Sequence, residues 1–235
     1  MTVTFDFSNQ VVLVTGASGA LGSAVVTAFE DVNATVCGAD IVEPSDEDAQ
    51  LSEGTASAFY QADFTDPDAV EQTIDAVRSD HGQINHLINI AGTWRGGDPL
   101  DETDVDVFDF LFDINLKTMF LASKFALPHL RETEGSIVSV SSRSSLEGGE
   151  GDGIYRATKA GIRILTETIA EENLGTVRAN AIMPSVIDTP MNREMMDGPK
   201  EEWVDPADIA DVILFLCSEG SSVTSGAAVP VYGEA

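Results

Sequence analysis

The segment Thr15-Gly16-Ala17-Ser18-Gly19-Ala20-Leu21-Gly22 constrains this chain more than any other stretch of it. A β-branched run, Gln10 to Thr15, leads into it, and a helical pattern from Ala20 to about Glu30 follows. Gly16 and Gly22 permit a tight turn and a close approach of helix to strand. The helix start then presents unpaired N–H groups, from Ser18 through Ala20, Leu21 and Gly22, to an anion such as a pyrophosphate. Glycine-rich turns are common; the strand before and the helix after are what make this one a phosphate loop. Asp40 ends the second strand roughly 20 residues further on, where a carboxylate bonds both ribose hydroxyls of a dinucleotide, and Ile41 adjoins it. The plainer reading of Asp40 is a solvated loop acid. No Lys or Arg precedes Arg78, so nothing near the loop would neutralise a 2′-phosphate. NAD, as NADH, is expected rather than NADP.

The alternation continues to the end of the chain. Ala34 to Ala39, Ser57 to Gln61, Ile84 to Asn89, Gly135 to Ser141, Thr176 to Met183 and Ala227 to Tyr232 read as further strands. Between them lie a helix opened by Asp66-Pro67-Asp68, a long helix from near Val105 to Pro128, and a helix from Ile154 to Asn173. A last helix is opened by Asp205-Pro206 and runs through Leu216. Acidic residues with Pro in the first turn are helix-start signals. Strands alternating with helices imply a parallel sheet covered on both faces. The expected fold is α/β: a single doubly wound, Rossmann-type domain over residues 1–235, with about seven strands.

Composition narrows the partners. The 235 residues include 12 Lys+Arg against 40 Asp+Glu, a net charge of −28, and 43% are hydrophobic, enough for a sizeable core. Nucleic acid and anionic membrane surfaces would be repelled, and no apolar run is long enough to span a bilayer. The first ten residues lack the basic start and apolar core of an export signal. Two cysteines, Cys37 and Cys217, make no disulfide framework and read as small buried hydrophobes. A cytoplasmic location is expected. Self-repulsion at this charge reaches across roughly 8 Å at ordinary ionic strength but only about 3 Å at molar salt. The acidity is therefore expected to reflect a halophilic source. His81, His86 and His129 show no metal-ligand spacing, and no metal is expected.

Tyr155 and Lys159 are four apart on a predicted helix and share one face. A phenol with a pKa near 10 is a poor base at neutral pH; an ammonium one turn away would lower that pKa. Hydride transfer at a carbon needs such a group to move the proton on the attached oxygen. Tyr-x-x-x-Lys also occurs by chance as a surface helix pair. Ser142 lies thirteen residues before Tyr155 at the end of the fifth strand, where its hydroxyl could bond a substrate oxygen. The run Ser139, Ser141, Ser142, Ser144, Ser145 leaves that register open. Arg156, beside Tyr155, receives no role.

These segments, in this order and spacing, resemble the short-chain dehydrogenase/reductase family over nearly the whole chain. The resemblance implies that Asn115, in the long helix, joins Ser142, Tyr155 and Lys159 as a fourth catalytic residue, holding a water that links Lys159 to solvent. It implies that Lys159 also bonds the nicotinamide ribose. Asp63, in Ala62-Asp63-Phe64, matches the adenine-contacting aspartate. Asn89-Ile90-Ala91-Gly92 matches the family's Asn-Asn-Ala-Gly segment, with Ile90 departing from it. Pro184-Ser185-Val186-Ile187-Asp188-Thr189 matches the segment near the nicotinamide, with Ser185 in place of glycine; Pro184, Ile187 and Thr189 are its cofactor candidates. Family members commonly pair long helices as homodimers or homotetramers, and Val105 to Pro128 and Ile154 to Asn173 are the candidates here.

The leading expectation is an enzyme that transfers hydride between NAD and a small carbonyl or alcohol substrate. A non-catalytic NAD-binding sensor or structural subunit would have no need of all four residues. The segments 91–97 and 188–193, with Trp94 and Trp203, resemble dihydropteridine reductases, which typically lack the serine. Ser142 instead points toward carbonyl reductases such as 3-oxoacyl carrier-protein reductases. Trp94 and Trp203, with Ser142 and Tyr155, are the substrate-side candidates, since indole faces stack planar rings. The plainer reading is that Trp203 anchors a short lid and Trp94 covers the sheet edge. A neutral or cyclic carbonyl is favoured over an acidic carrier-bound chain, which would meet like charge.

Overall fold

The computed structural model describes residues 4–198 and 202–233. Its strands are β1 (Val11–Thr15), β2 (Thr35–Asp40), β3 (Ala58–Gln61), β4 (His86–Asn89), β5 (Ser136–Val140), β6 (Arg178–Pro184) and β7 (Ala228–Val231). They form one parallel sheet in the order β3-β2-β1-β4-β5-β6-β7. The helices are α1 (Ala20–Asp31), α2 (Pro67–His81), α3 (Val105–Leu111), α4 (Thr118–Glu132), α5 (Gly153–Glu172), α6 (Pro190–Met195) and α7 (Pro206–Cys217). Alternate residues of the central strands enter opposite cores. Val12, Val14 and Ile182 pack with Val25, Phe29 and Ile213 of α1 and α7 on one face. Leu13, Ile137 and Ala179 pack with Ile74, Leu121 and Ile162 of α2, α4 and α5 on the other. With both faces covered, β1, β4 and β5 are buried throughout, which is why they read as near-continuous apolar runs. No described helix is long and apolar enough to cross a membrane.

The expected doubly wound sheet is present, and the strand limits agree to within a residue or two. The long helix does not hold as one element. Between α3 and α4 the chain widens into a π-helical turn, Phe112–Lys117, and α4 then runs through Pro128 to Glu132. Proline removes one backbone donor, but Ala126 and Leu130 on either side of it are fully buried and hold the turn against the sheet. Packing there outweighs one missing hydrogen bond.

The two ends of the strands are built differently. At the amino end, His86 is buried with its ring nitrogens 2.8 Å from Ser136 Oγ and 2.6 Å from Gln10 Oε1, and Phe7 lies edge-on at 5.5 Å. Arg178 donates to the carbonyls of Leu216 at 2.6 Å and Cys217 at 3.0 Å, a cation on the negative end of α7. At the carboxyl end, the strand order reverses between β1 and β4 and leaves a crevice, where open α/β sheets bind ligands.

Candidate active site

The phosphate loop forms one wall of that crevice. Gly16 has φ +69°, and a Cβ there would lie 2.7 Å from Ala91 N; a Cβ on Gly22 would lie 2.0 Å from Gly16 O. Neither position has room for a side chain. Gly19 N-caps α1 without a side-chain bond, and the first turn holds no acid, so the positive helix end stays unneutralised. Ser18 is buried: its N–H donates to Asp40 Oδ2 at 3.0 Å and its hydroxyl to Val42 O at 2.6 Å. Both donors of Ser18 thus tie the loop to β2 and the chain after it, which leaves the N–H groups at the start of α1 for an anion. Leu21 is likewise turned into the core, whereas Ala20 is half-buried at the first position of α1.

Asp40 Oδ1 accepts from Val42 N–H at 3.1 Å. A carboxylate has about four acceptor sites, so capacity for ribose hydroxyls remains. Ile41 is 57% exposed at the crevice edge. Asp63 is exposed and accepts from Thr65 N–H at 2.8 Å, while the Phe64 ring lies in the core and leaves only backbone near the surface. Asn89 also points inward: Nδ2 donates to Ser123 Oγ at 3.2 Å and Ser139 Oγ at 3.1 Å, and the buried Oδ1 has no partner. Thr15 Oγ1 accepts from Ile90 N–H at 3.2 Å and Ala91 N–H at 3.3 Å, which holds the chain after β4.

The four residues expected to act together lie around one point. The π-helical turn carries Asn115, which is fully buried; such turns often occur at functional sites. Asn115 Oδ1 accepts from Thr93 N–H at 2.8 Å, and Nδ2 donates to Thr93 O at 3.0 Å and Thr158 Oγ1 at 3.3 Å. Beside it, a Cβ on Gly92 would lie 2.6 Å from Asn115 Oδ1 and 3.4 Å from Lys159 Nζ. Lys159 Nζ donates to Val140 O at 3.0 Å and lies 5.8 Å from the Tyr155 ring centre. The serine register resolves here. Ser139 bonds Asn89, Ser141 donates to Lys159 O at 2.7 Å and Ser145 contacts Met183 Sδ, whereas Ser142, whose Oγ accepts from Ser144 N–H at 3.1 Å, is the serine that lowers the Tyr155 phenol.

Burial pushes the Lys159 ammonium down to about 8. Burial also raises the Tyr155 phenol, Asp152 raises it further, and the Ser142 hydrogen bond and Arg156 lower it. Arg156 is a cation whose charge favours the phenolate here. Sequence reasoning gave Arg156 no role, although its spacing of four from Asp152 marked the pair. Thr93 and Thr158, the partners of Asn115, carried no sequence signal.

A cavity of about 280 Å³ lies between residues 95–107 and 149–154, next to Tyr155 in the chain but not lined by Ser142, Tyr155, Trp94 or Trp203. Trp94 is 42% exposed beside Gly96. Trp203 is half-buried beside Gly198, in a segment joined to the chain after β6 by the Ile187–Val204 bridge. Pro184 is buried at the end of β6, and Thr189 caps α6 by accepting from Asn192 N–H at 3.1 Å.

A family model described as enoyl-(acyl carrier protein) reductase matches residues 16–233. The chain is 32% identical to 3-oxoacyl-[acyl-carrier-protein] reductase of Thermotoga maritima, over 95% of this chain and 96% of that protein. It is 34% identical to meso-2,3-butanediol dehydrogenase of Serratia marcescens, over 97% of this chain and 95% of that protein. The ligand-free aldohexose dehydrogenase of Thermoplasma acidophilum superposes with a TM-score of 0.86 at 28% identity, covering 97% of this chain and 94% of the other. With nearly its whole length matched in sequence and in fold, the chain belongs to the short-chain dehydrogenase/reductase family, oxidoreductases that use a nicotinamide cofactor.

Proposed function

We propose that this protein is an NAD-dependent oxidoreductase of small carbonyl or alcohol substrates, with Tyr155 moving the proton on the substrate oxygen. One observation carries the reading: the hydroxyls of Ser142 and Tyr155 meet beside Lys159 at the crevice where the strand order reverses. The two glycines without room for a side chain and the open start of α1 fit a bound pyrophosphate. When bound, the cofactor supplies or takes up the hydride. The backbone from Gly16 to Gly22 would hold its phosphates, and Asp40 with Ile41 its adenosine ribose. Asp63 and the backbone of Phe64 would flank the adenine, and the backbone of Asn89, Ala91 and Gly92 would line the floor. Lys159 would bond the second ribose, and Pro184, Ile187 and Thr189 would border the nicotinamide. Ser142 would hold the substrate oxygen while Tyr155 donates or accepts its proton. Asn115 fixes the Thr93 segment against α5 and so keeps Lys159 in place.

NAD is proposed over NADP because Asp40 would repel a 2′-phosphate and no Lys or Arg occurs before Arg78. The substrate is proposed to be a neutral, compact or cyclic carbonyl bordered by Trp94 and Trp203. The second reading is a 3-oxoacyl thioester, favoured by the likeness to the Thermotoga protein. Steady-state kinetics in molar KCl with NADH and NADPH, against a cyclic ketone, a quinonoid dihydropterin and an acetoacetyl thioester, separates them. A specificity constant at least tenfold higher for the thioester, about 1.4 kcal/mol of transition-state preference, would select the second reading. No turnover with any nicotinamide cofactor would leave the non-catalytic reading.

The charge of −28 supports adaptation to molar salt in a cytoplasmic protein. Pairing as a homodimer or homotetramer is supported by the apolar groove of Phe112, Leu116, Phe120 and Leu165, in which Phe120 is 47% exposed. The chain is also proposed to be one domain, which one cooperative melting transition would support.

A further inference from the structure

Arg156 follows the proton-carrying tyrosine, and its side chain is held through Nε and Nη1. Nε donates to Asp152 Oδ1 at 2.6 Å, and Nη1 donates to the carbonyls of Glu147 at 3.2 Å and Gly148 at 3.4 Å. The ion pair is partly buried, with 22% and 17% of the two side chains exposed. A Cβ on Gly149 would lie 2.3 Å from the guanidinium, so the chain between β5 and α5 wraps directly over this cation. The same segment, Gly149 to Ile154, forms one wall of the 280 Å³ cavity and leads straight into Tyr155. An exposed ion pair would contribute little. A pair shielded on one side and bonded to two carbonyls holds a loop and sets a local field.

We propose that Arg156 and Asp152 form a positioning pair for Tyr155, with Arg156 cancelling the field of Asp152 at the phenol and clamping the wall of that cavity. The proposal rests on Tyr155 being the proton-carrying group. Asp152 alone would oppose the phenolate, and Arg156 alone would favour it. The other charges around this corner are Lys159 on α5, Arg143 on the turn after β5, Glu147 and Glu150 on the clamped loop, and Arg95 and Asp98 facing it. Lys159 is buried with Nζ 5.8 Å from the Tyr155 ring centre, and burial pushes it down to about 8. Arg95 is occupied over the Phe110 ring at 4.0 Å.

The two parts of this role have separable signatures. The pH profile of kcat/KM should be measured for Arg156→Gln, Asp152→Asn, the double variant and Arg156→Lys, with melting curves for each. Tyrosine-carbon NMR of the same proteins without cofactor resolves Tyr155 from the other two tyrosines. Arg156→Gln should move the Tyr155 titration alkaline and Asp152→Asn should move it acid, with the double variant returning near the parent. Arg156→Lys should restore the titration but not the clamp, and so leave KM raised about tenfold at nearly parental kcat. Shifts in the same direction, or none in variants that melt like the parent, would overturn the proposal while leaving the role of Tyr155 intact. Full activity of Tyr155→Phe would remove the reading beneath it instead.

Discussion

Buried polar groups at the amino and carboxyl ends of this sheet have different surroundings. At the amino end His86, Ser136, Gln10 and Arg178 find partners in one another or in helix carbonyls. At the carboxyl end Asn89 Oδ1 is left without a partner, and the acid–base properties of Tyr155 and Lys159 are shifted by burial. Satisfied polar groups give a defined register to strands that are otherwise uniformly apolar. Burial shifts His86 at the amino end as it shifts Tyr155 and Lys159 at the carboxyl end, but only the latter pair lies at the crevice where the strand order reverses. One sheet thus carries a structural end and a working end.

The sharpest break of that contrast is Tyr155→Phe. The ring stays and the proton goes, so turnover should fall by about 10²-fold or more. NADH affinity and the melting temperature should stay near the parent values, which fluorescence titration and calorimetry would check. At the opposite end, His86→Ala should spare turnover per folded molecule and lower stability by roughly 3 kcal/mol, because Gln10 and Ser136 lose their shared partner. Denaturant melts measure that loss.

The pH dependence follows from the same histidine. Burial, with a smaller contribution from Arg178, pushes His86 down to about 3. The unfolded chain would take up a proton near pH 6.5. Stability from this group is therefore complete above about 6.5 and is lost as pH falls from there toward 3. His86→Gln should flatten that acid slope; an unchanged slope would place its origin in other residues.

Asp40→Ala sharpens the contrast within the working end. It should narrow the preference for NADH over NADPH by about tenfold, chiefly by weakening NADH, as a lost charge-assisted contact does. Isothermal titration with both cofactors reads this directly. The smallest effect is global. Raising KCl toward molar should lift the melting temperature by about 2–4 °C for each kcal/mol of repulsion screened. A midpoint indifferent to salt would remove the halophilic reading.

What the sequence by itself determined is local. The strand, glycine turn and helix at Thr15 to Gly22, the carboxylate at Asp40, and Tyr155 four residues before Lys159 are set by spacings of a few residues within single elements. Strand alternation also foretold the sheet, because burial on both faces leaves a legible apolar pattern. Only the tertiary structure decided which serine reaches Tyr155, since five candidates share one short stretch and differ only in what lies opposite each. It also decided that the predicted long helix opens into a π-helical turn at Asn115, where two bonds to Thr93 lie 22 residues away in sequence. The same holds for Arg156, whose guanidinium is bonded to the carbonyls of Glu147 and Gly148 on the loop before α5. Proton affinity depends on surroundings assembled from distant segments, and a linear sequence does not state which groups become neighbours.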